Sequence, residues 1–177
     1  MRKVIGIGET ILDIIFKNEQ PTAAKPGGST FNSMITLGRL GVNTEFISEV
    51  GRDRLGKQIK EFLAENNVKA DNVYDYDGGK TALSLAFLDE NMNADYLFYK
   101  NDAAQKLDYV MPKIEENDII VIGSFFSIND ALRENLTYLL DEAKRKKAII
   151  YYDVNFRRNH AGEAIRLAST VIENLEY

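Results

Sequence analysis

No cysteine occurs among the 177 residues, which excludes a disulfide framework, a thiol nucleophile and a cysteine-ligated metal site. His160 is the single histidine, so a multi-histidine metal centre is excluded as well, and a loop or helix-cap role suits it better than catalysis. No apolar run approaches membrane-spanning length, and the chain reaches Glu9 before any stretch of signal-peptide length, so a cytoplasmic protein without a membrane partner is expected. Basic blocks are scarce too. Lys and Arg number 22 against 27 Asp and Glu, a balance of −5, and the one basic run, Lys144-Arg145-Lys146-Lys147, falls at a predicted helix end where cations complement the dipole. Nucleic acid is therefore not an expected partner. No Gly-x-x-x-x-Gly-Lys-Ser/Thr loop occurs, which removes a P-loop nucleotide site. In Gly6-Ile7-Gly8-Glu9-Thr10-Ile11, an isoleucine stands where a dinucleotide fingerprint needs its third glycine.

What is present fits one globular domain with a substantial core: 45% hydrophobic and 28% charged residues. Continuously apolar segments at 4–7, 46–50, 119–122 and 148–152 read as strands buried on both faces, and 11–16 as a further extended segment. Helical spacing links Leu55, Ile59, Phe62 and Leu63, and again Leu132, Leu136, Leu139 and Leu140 with Asn129 or Asp130 as cap. A last helix is predicted over 161–177 through Ala164, Ala168, Val171 and Leu175. Alternating β and α units imply a parallel sheet covered on both sides. Residues 81–88 and 95–99 instead read as a hairpin joined by Asp89-Glu90-Asn91-Met92-Asn93, and a hairpin inserted in an α/β domain has the form of a lid.

The segment with the most chemical content is Gly27-Gly28-Ser29-Thr30-Phe31-Asn32. Two glycines let a backbone approach a ligand, Ser29 or Thr30 is positioned to cap a helix, and Asn32 falls in its first turn. Taken alone, this pattern fits a polar-ligand site or a plain structural cap. Other segments add to it in order: 4–13 with Asp13, then Gly51-Arg52-Asp53-Arg54-Leu55-Gly56, Phe98-Tyr99-Lys100, Gly123-Ser124 and Asp153-Val154-Asn155-Phe156-Arg157. Together they resemble the N-terminal portion of the pfkB, or ribokinase-like, carbohydrate kinases, with wording nearest the fructokinase and 2-keto-3-deoxygluconate kinase branch.

That resemblance implies a ribokinase-like α/β fold: a doubly wound, mostly parallel sheet with a small β lid. Residues 1–177 would form the N-terminal part of a single domain, its lid strands lying near 11–16 and 73–100 and supplying a homodimer contact. It implies that Asp13 and Asn32 bind sugar hydroxyls, that Gly27 and Gly28 let the main chain approach the ring, and that Asn155 and Arg157 lie near the substrate and the transferred phosphoryl group, with Arg157 stabilising charge. Short, rigid polar side chains suit a sugar, which leaves few partners unpaired on binding. Thr81 and Tyr99, on the predicted lid strands, either close over the sugar or fill an alternating core. Asp53 reads as a structural helix cap. Lys100 stands where many members of the family have arginine; lysine keeps the charge but loses the planar fork that grips a carboxylate, which favours a neutral sugar over an acidic one.

Phosphoryl transfer also needs a base, an ATP platform, Mg²⁺ and an anchor for the γ-phosphate. The family's Gly-Ala-Gly-Asp base segment and Asn-x-x-Glu magnesium-linked segment do not occur between Met1 and Tyr177. The C-terminal part of the fold is thus expected to be missing, with ATP and Mg²⁺ bound mainly by it, and the chain alone is expected to be inactive. A non-catalytic sugar-binding or oligomerising module, and a nucleoside or 2-keto-3-deoxygluconate kinase of the same fold, remain open as alternatives.

Overall fold

The computed structural model describes residues 2–100, 107–123 and 125–155, so Arg157, His160 and the predicted helix over 161–177 lie outside the described residues. Strand β1 (Lys3–Ile7) is central. It is followed by β2 (Ile11–Lys17), β3 (Gln20–Gly27), α1 (Ser29–Arg39), β4 (Asn43–Gly51), α2 (Arg54–Glu65), and the short strands β5 (Val68–Lys69) and β6 (Val73–Tyr76). Then come β7 (Leu83–Leu88), β8 (Ala94–Tyr99), β9 (Ile119–Gly123), α3 (Arg133–Arg145) and β10 (Ile149–Asp153).

The main sheet runs β10-β9-β1-β4-β5, with β6 pairing β4, and every pairing is parallel. Alternation along β1 sends Ile5 and Ile7 to one face and Val4 to the other, and the core divides accordingly. On one face Ile5, Ile7, Ile120 and Ile122 pack with Leu136, Leu139, Leu140 and Ala143 of α3. On the other, Val4, Phe46 and Val50 meet Phe31, Met34 and Ile35 of α1 and Ile59 and Leu63 of α2. Both faces being covered explains why these strands lack polar alternation. Gly6 and Gly8 let α1 lie directly on β1: a Cβ at Gly6 would meet the Met34 side chain, and one at Gly8 the Thr30 side chain.

A second sheet, β3-β2-β7-β8, forms the lid. It is built from two insertions: β2 and β3 lie between β1 and α1 in the chain, and β7 and β8 between β6 and β9. Three details depart from the sequence-based expectation. Strand β3 is additional; it sits on the lid's edge, where Pro21 and Pro26 cost no shared ladder bond. Residues 73–76, grouped with the lid by sequence, belong to the main sheet through β4. The entrance of α1 is capped by neither Ser29 nor Thr30: Gly28 is the cap residue, at φ 128°, with no side-chain cap bond. By contrast Asp53 caps α2 through Gly56 N–H at 2.9 Å. Asn129 caps a single 3₁₀ turn, Asp130–Leu132, that leads into α3.

Candidate functional site

In an open parallel sheet, ligands gather at the carboxyl ends of the strands where the winding reverses. Here the reversal falls between β1 and β9, because the chain leaves β1 toward β4 and β5, then returns to add β9 and β10 on the other side. The entrance of α1 lies at that point. A Cβ added to Gly123, at the end of β9, would meet Thr30 Oγ1 and, at 3.2 Å, Ser29 Oγ, while one added to Gly28 would meet the Glu9 carbonyl. Thr30 Oγ1 is buried there with no hydrogen-bond partner among the described residues.

The lid supplies the carboxylate. Asp13 on β2 pairs in register with Ser84 on β7, and Ser84 Oγ donates to Asp13 Oδ1 at 2.5 Å. Burial pushes the Asp13 carboxyl above its ordinary value, and the Ser84 bond only partly opposes it. Gly27, at the end of β3, has no side chain because Asp13 Oδ2 fills that space. Its carbonyl accepts from the buried Thr10 hydroxyl at 3.3 Å. Gly27 therefore makes room for the acid, and Gly28 makes room for the Glu9 main chain. Asn32 lies exposed in the first turn of α1; its N–H donates to the Gly28 carbonyl at 2.9 Å, and its side-chain amide has no partner among the described residues.

Register sorts the remaining lid candidates. Asp13 pairs with Ser84 and Ser84 with Phe98, so these three share one face; Leu12 pairs with Leu83 and Leu83 with Tyr99, so Tyr99 lies on the opposite face. Tyr99 and Asp13 thus do not converge. Thr81 is not on a lid strand. It is buried two residues before β7, and its hydroxyl donates to Asp53 Oδ1 at 2.7 Å and accepts from Gly51 N–H at 3.1 Å, while its own N–H donates to Asp53 Oδ2 at 2.8 Å. The hydroxyl is spent on joining the lid to the α2 entrance and is not offered to a ligand. Burial raises the Asp53 carboxyl, but the hydrogen bonds from Thr81, Gly56 and Leu55 outweigh it and leave the group below its ordinary value.

Lys100, immediately after β8, is held by Glu9: Nζ lies 2.7 Å from Oε1 and 2.8 Å from Oε2, and 5.1 Å over the Phe98 ring. Asn155 follows the end of β10 at φ 44°, its N–H donating to Asp153 Oδ1 at 2.9 Å, two strands away from β1. Ser84 and Glu9 were the site residues sequence reasoning missed. Both act through partners far along the chain, and no local pattern marks them. No group of three or more His, Cys, Asp or Glu side chains that could hold a metal ion forms among the described residues.

A parallel sheet wound both ways, with a second β sheet whose carboxylate lies against the glycines that lead into a helix entrance, defines an α/β fold of the ribokinase type. Residues 1–176 match the family described as pfkB family carbohydrate kinase, and the chain belongs to that family. Fructokinase of Solanum tuberosum is 26% identical over 97% of this chain and 59% of its own length, and probable fructokinase-6, chloroplastic, of Arabidopsis thaliana is 28% identical over 87% and 43%. The chain thus spans about half the length of the curated relatives it matches. Among solved structures, a PfkB family carbohydrate kinase from Listeria grayi superposes with a TM-score of 0.82 at 20% identity, covering 99% of this chain and 59% of that one. An uncharacterized sugar kinase from Pyrococcus horikoshii gives 0.78 at 24%, covering 98% and 60%. A double mutant of fructokinase from Vibrio cholerae, solved in a form binding fructose, ADP and potassium ion, gives 0.76 at 20%, covering 98% and 56%.

Proposed function

We propose that the complete protein transfers a phosphoryl group from ATP to a hydroxyl of a neutral sugar, with fructose the first substrate to try, and that this chain carries the sugar-binding half. The observation that carries the reading is the Asp13 carboxylate, oriented by Ser84 and set against Gly27 beside the α1 entrance. An ionised carboxylate accepts hydrogen bonds from two sugar hydroxyls, and the Asn32 amide both donates and accepts, so the pair reads a polyol edge. Asn155 and Arg157 stand near the transferred group, with Arg157 neutralising its developing charge. The base, the ATP platform and the Mg²⁺ ligands come mainly from the C-terminal part of the family's fold, and residues 1–177 alone do not turn over.

The same reading takes the lid as the contact of a homodimer. Tyr96, Leu97, Phe98 and Tyr99 of its edge strand are each about half exposed, and a second copy is the partner that covers such an edge without a new binding surface. No helix among the described residues is long and apolar enough to cross a membrane, and a cytoplasmic site of action suits an ATP-dependent enzyme. The test is a coupled ATP-consumption assay on protein isolated intact from its native source, across a panel of sugars headed by fructose, with Asp13→Ala alongside. Sugar-dependent ADP release that Asp13→Ala abolishes is the expected result. Release with no sugar in the panel would overturn the proposal, as would full activity in the variant.

A further inference from the structure

Lys100 and Glu9 are 91 positions apart, yet their side chains form a two-pronged ion pair joining the lid to the loop that leaves β1. Lys100 is an exposed residue and Glu9 a partly buried one, so the pair faces solvent and is open to screening by salt. The pair sits beside the sugar site. The Glu9 carbonyl abuts Gly28, Lys100 continues the lid face that bears Asp13, Ser84 and Phe98, and the Phe98 ring lies under the ammonium.

We infer that Glu9 is a specificity-determining residue: by neutralising Lys100 it denies that cation to a substrate carboxylate, so the site selects neutral sugars and rejects sugar acids. This rests on the sugar-site reading above. With Glu9 ionised the pair carries no net charge, and a sugar acid entering beside Asp13 meets like charge with no free cation from the pair. An amide at position 9 keeps the shape and releases Lys100, whose ammonium then forms a charge-assisted bond with an incoming carboxylate. Freeing one such bond raises relative affinity for the acid by about tenfold or more.

The experiment is isothermal titration of the intact protein with D-fructose and with 2-keto-3-deoxygluconate, a neutral and an anionic probe, for wild type, Glu9→Gln, and Glu9→Gln combined with Lys100→Ala. The expected result is that Glu9→Gln shifts the ratio of the two affinities toward the acid by about tenfold. Lys100→Ala reverses that shift, and added salt weakens it. A ratio unchanged in Glu9→Gln, with fructose still binding at the Asp13 site, overturns this inference and leaves the sugar site standing. Failure of wild type to bind either probe overturns the sugar site and this inference together.

Discussion

Thr81→Val changes one atom's chemistry at almost constant shape, in a residue only 3% exposed. The hydroxyl it removes donates to Asp53 Oδ1 at 2.7 Å and accepts from Gly51 N–H at 3.1 Å. Each buried group that loses its partner costs about 1–3 kcal/mol, more when the partner is charged. Asp53 keeps the N–H groups of Gly56 and Thr81 and is only partly buried, so solvent offsets much of its share. A net loss of roughly 2–3 kcal/mol follows, a large part of a typical domain's stability. At this size, 1 kcal/mol corresponds to about 2–4 °C in Tm, so the midpoint should fall by about 4–12 °C. Thr81→Ser keeps the hydroxyl and removes one methyl, costing about 1 kcal/mol. Urea unfolding followed by far-UV circular dichroism, with m unchanged, measures both. A Thr81→Val variant within about 0.5 kcal/mol of wild type would refute the latch, and so would a Thr81→Ser variant as unstable as the valine.

The acid limb of stability should show the same latch. Because the folded Asp53 carboxyl lies below 3.8, its contribution is complete above about pH 5 and is lost as pH falls through 3.8 and beyond; Thr81→Val should shrink that loss, and an acid limb identical in the two proteins would contradict it. Asp13 has the opposite sign: its raised carboxyl costs stability above its folded value, so Asp13→Asn should raise the urea midpoint at pH 7 while removing sugar binding. A lowered midpoint would count against burial as the cause. Ser84→Ala removes the donor that orients Asp13 and should weaken sugar affinity about tenfold by titration calorimetry, whereas unchanged affinity would show that Asp13 needs no orienter. Gly28→Ala places a side chain at φ 128° against the Glu9 carbonyl and should destabilise by about 2 kcal/mol or more; a neutral effect would mean that the α1 entrance relaxes freely.

Much of this architecture is legible along the chain, because a doubly covered sheet leaves a local mark. The β-branched runs at 4–7 and 119–122 carry no polar alternation, and α2 announces itself with Asp53 three residues before Gly56, on an apolar stripe through Ile59 and Leu63. What escapes is whatever depends on pairing. Strand β3 is polar, exposed and broken by two prolines, and only the neighbouring β2 makes it a strand. Val73-Tyr74-Asp75-Tyr76 has no feature that tells a lid strand from a main-sheet strand, and the free edge of β4 decides it. At the site, Asp13 and Gly28 stand out by residue type and order. The long-range pairs do not: Ser84 lies 71 residues from Asp13, and Glu9 lies 91 from Lys100. Tyr99 is misleading for a related reason. Alternation fixes that neighbours face apart, but only the register with Leu83 says which of them faces Asp13.

Sugar binding at Asp13 and Asn32, beside the entrance of α1, is tested most directly by titration calorimetry with D-fructose. Saturable binding to wild type that weakens by about tenfold or more in Asp13→Ala and in Asn32→Ala is the predicted result. Unchanged affinity in both variants would contradict it.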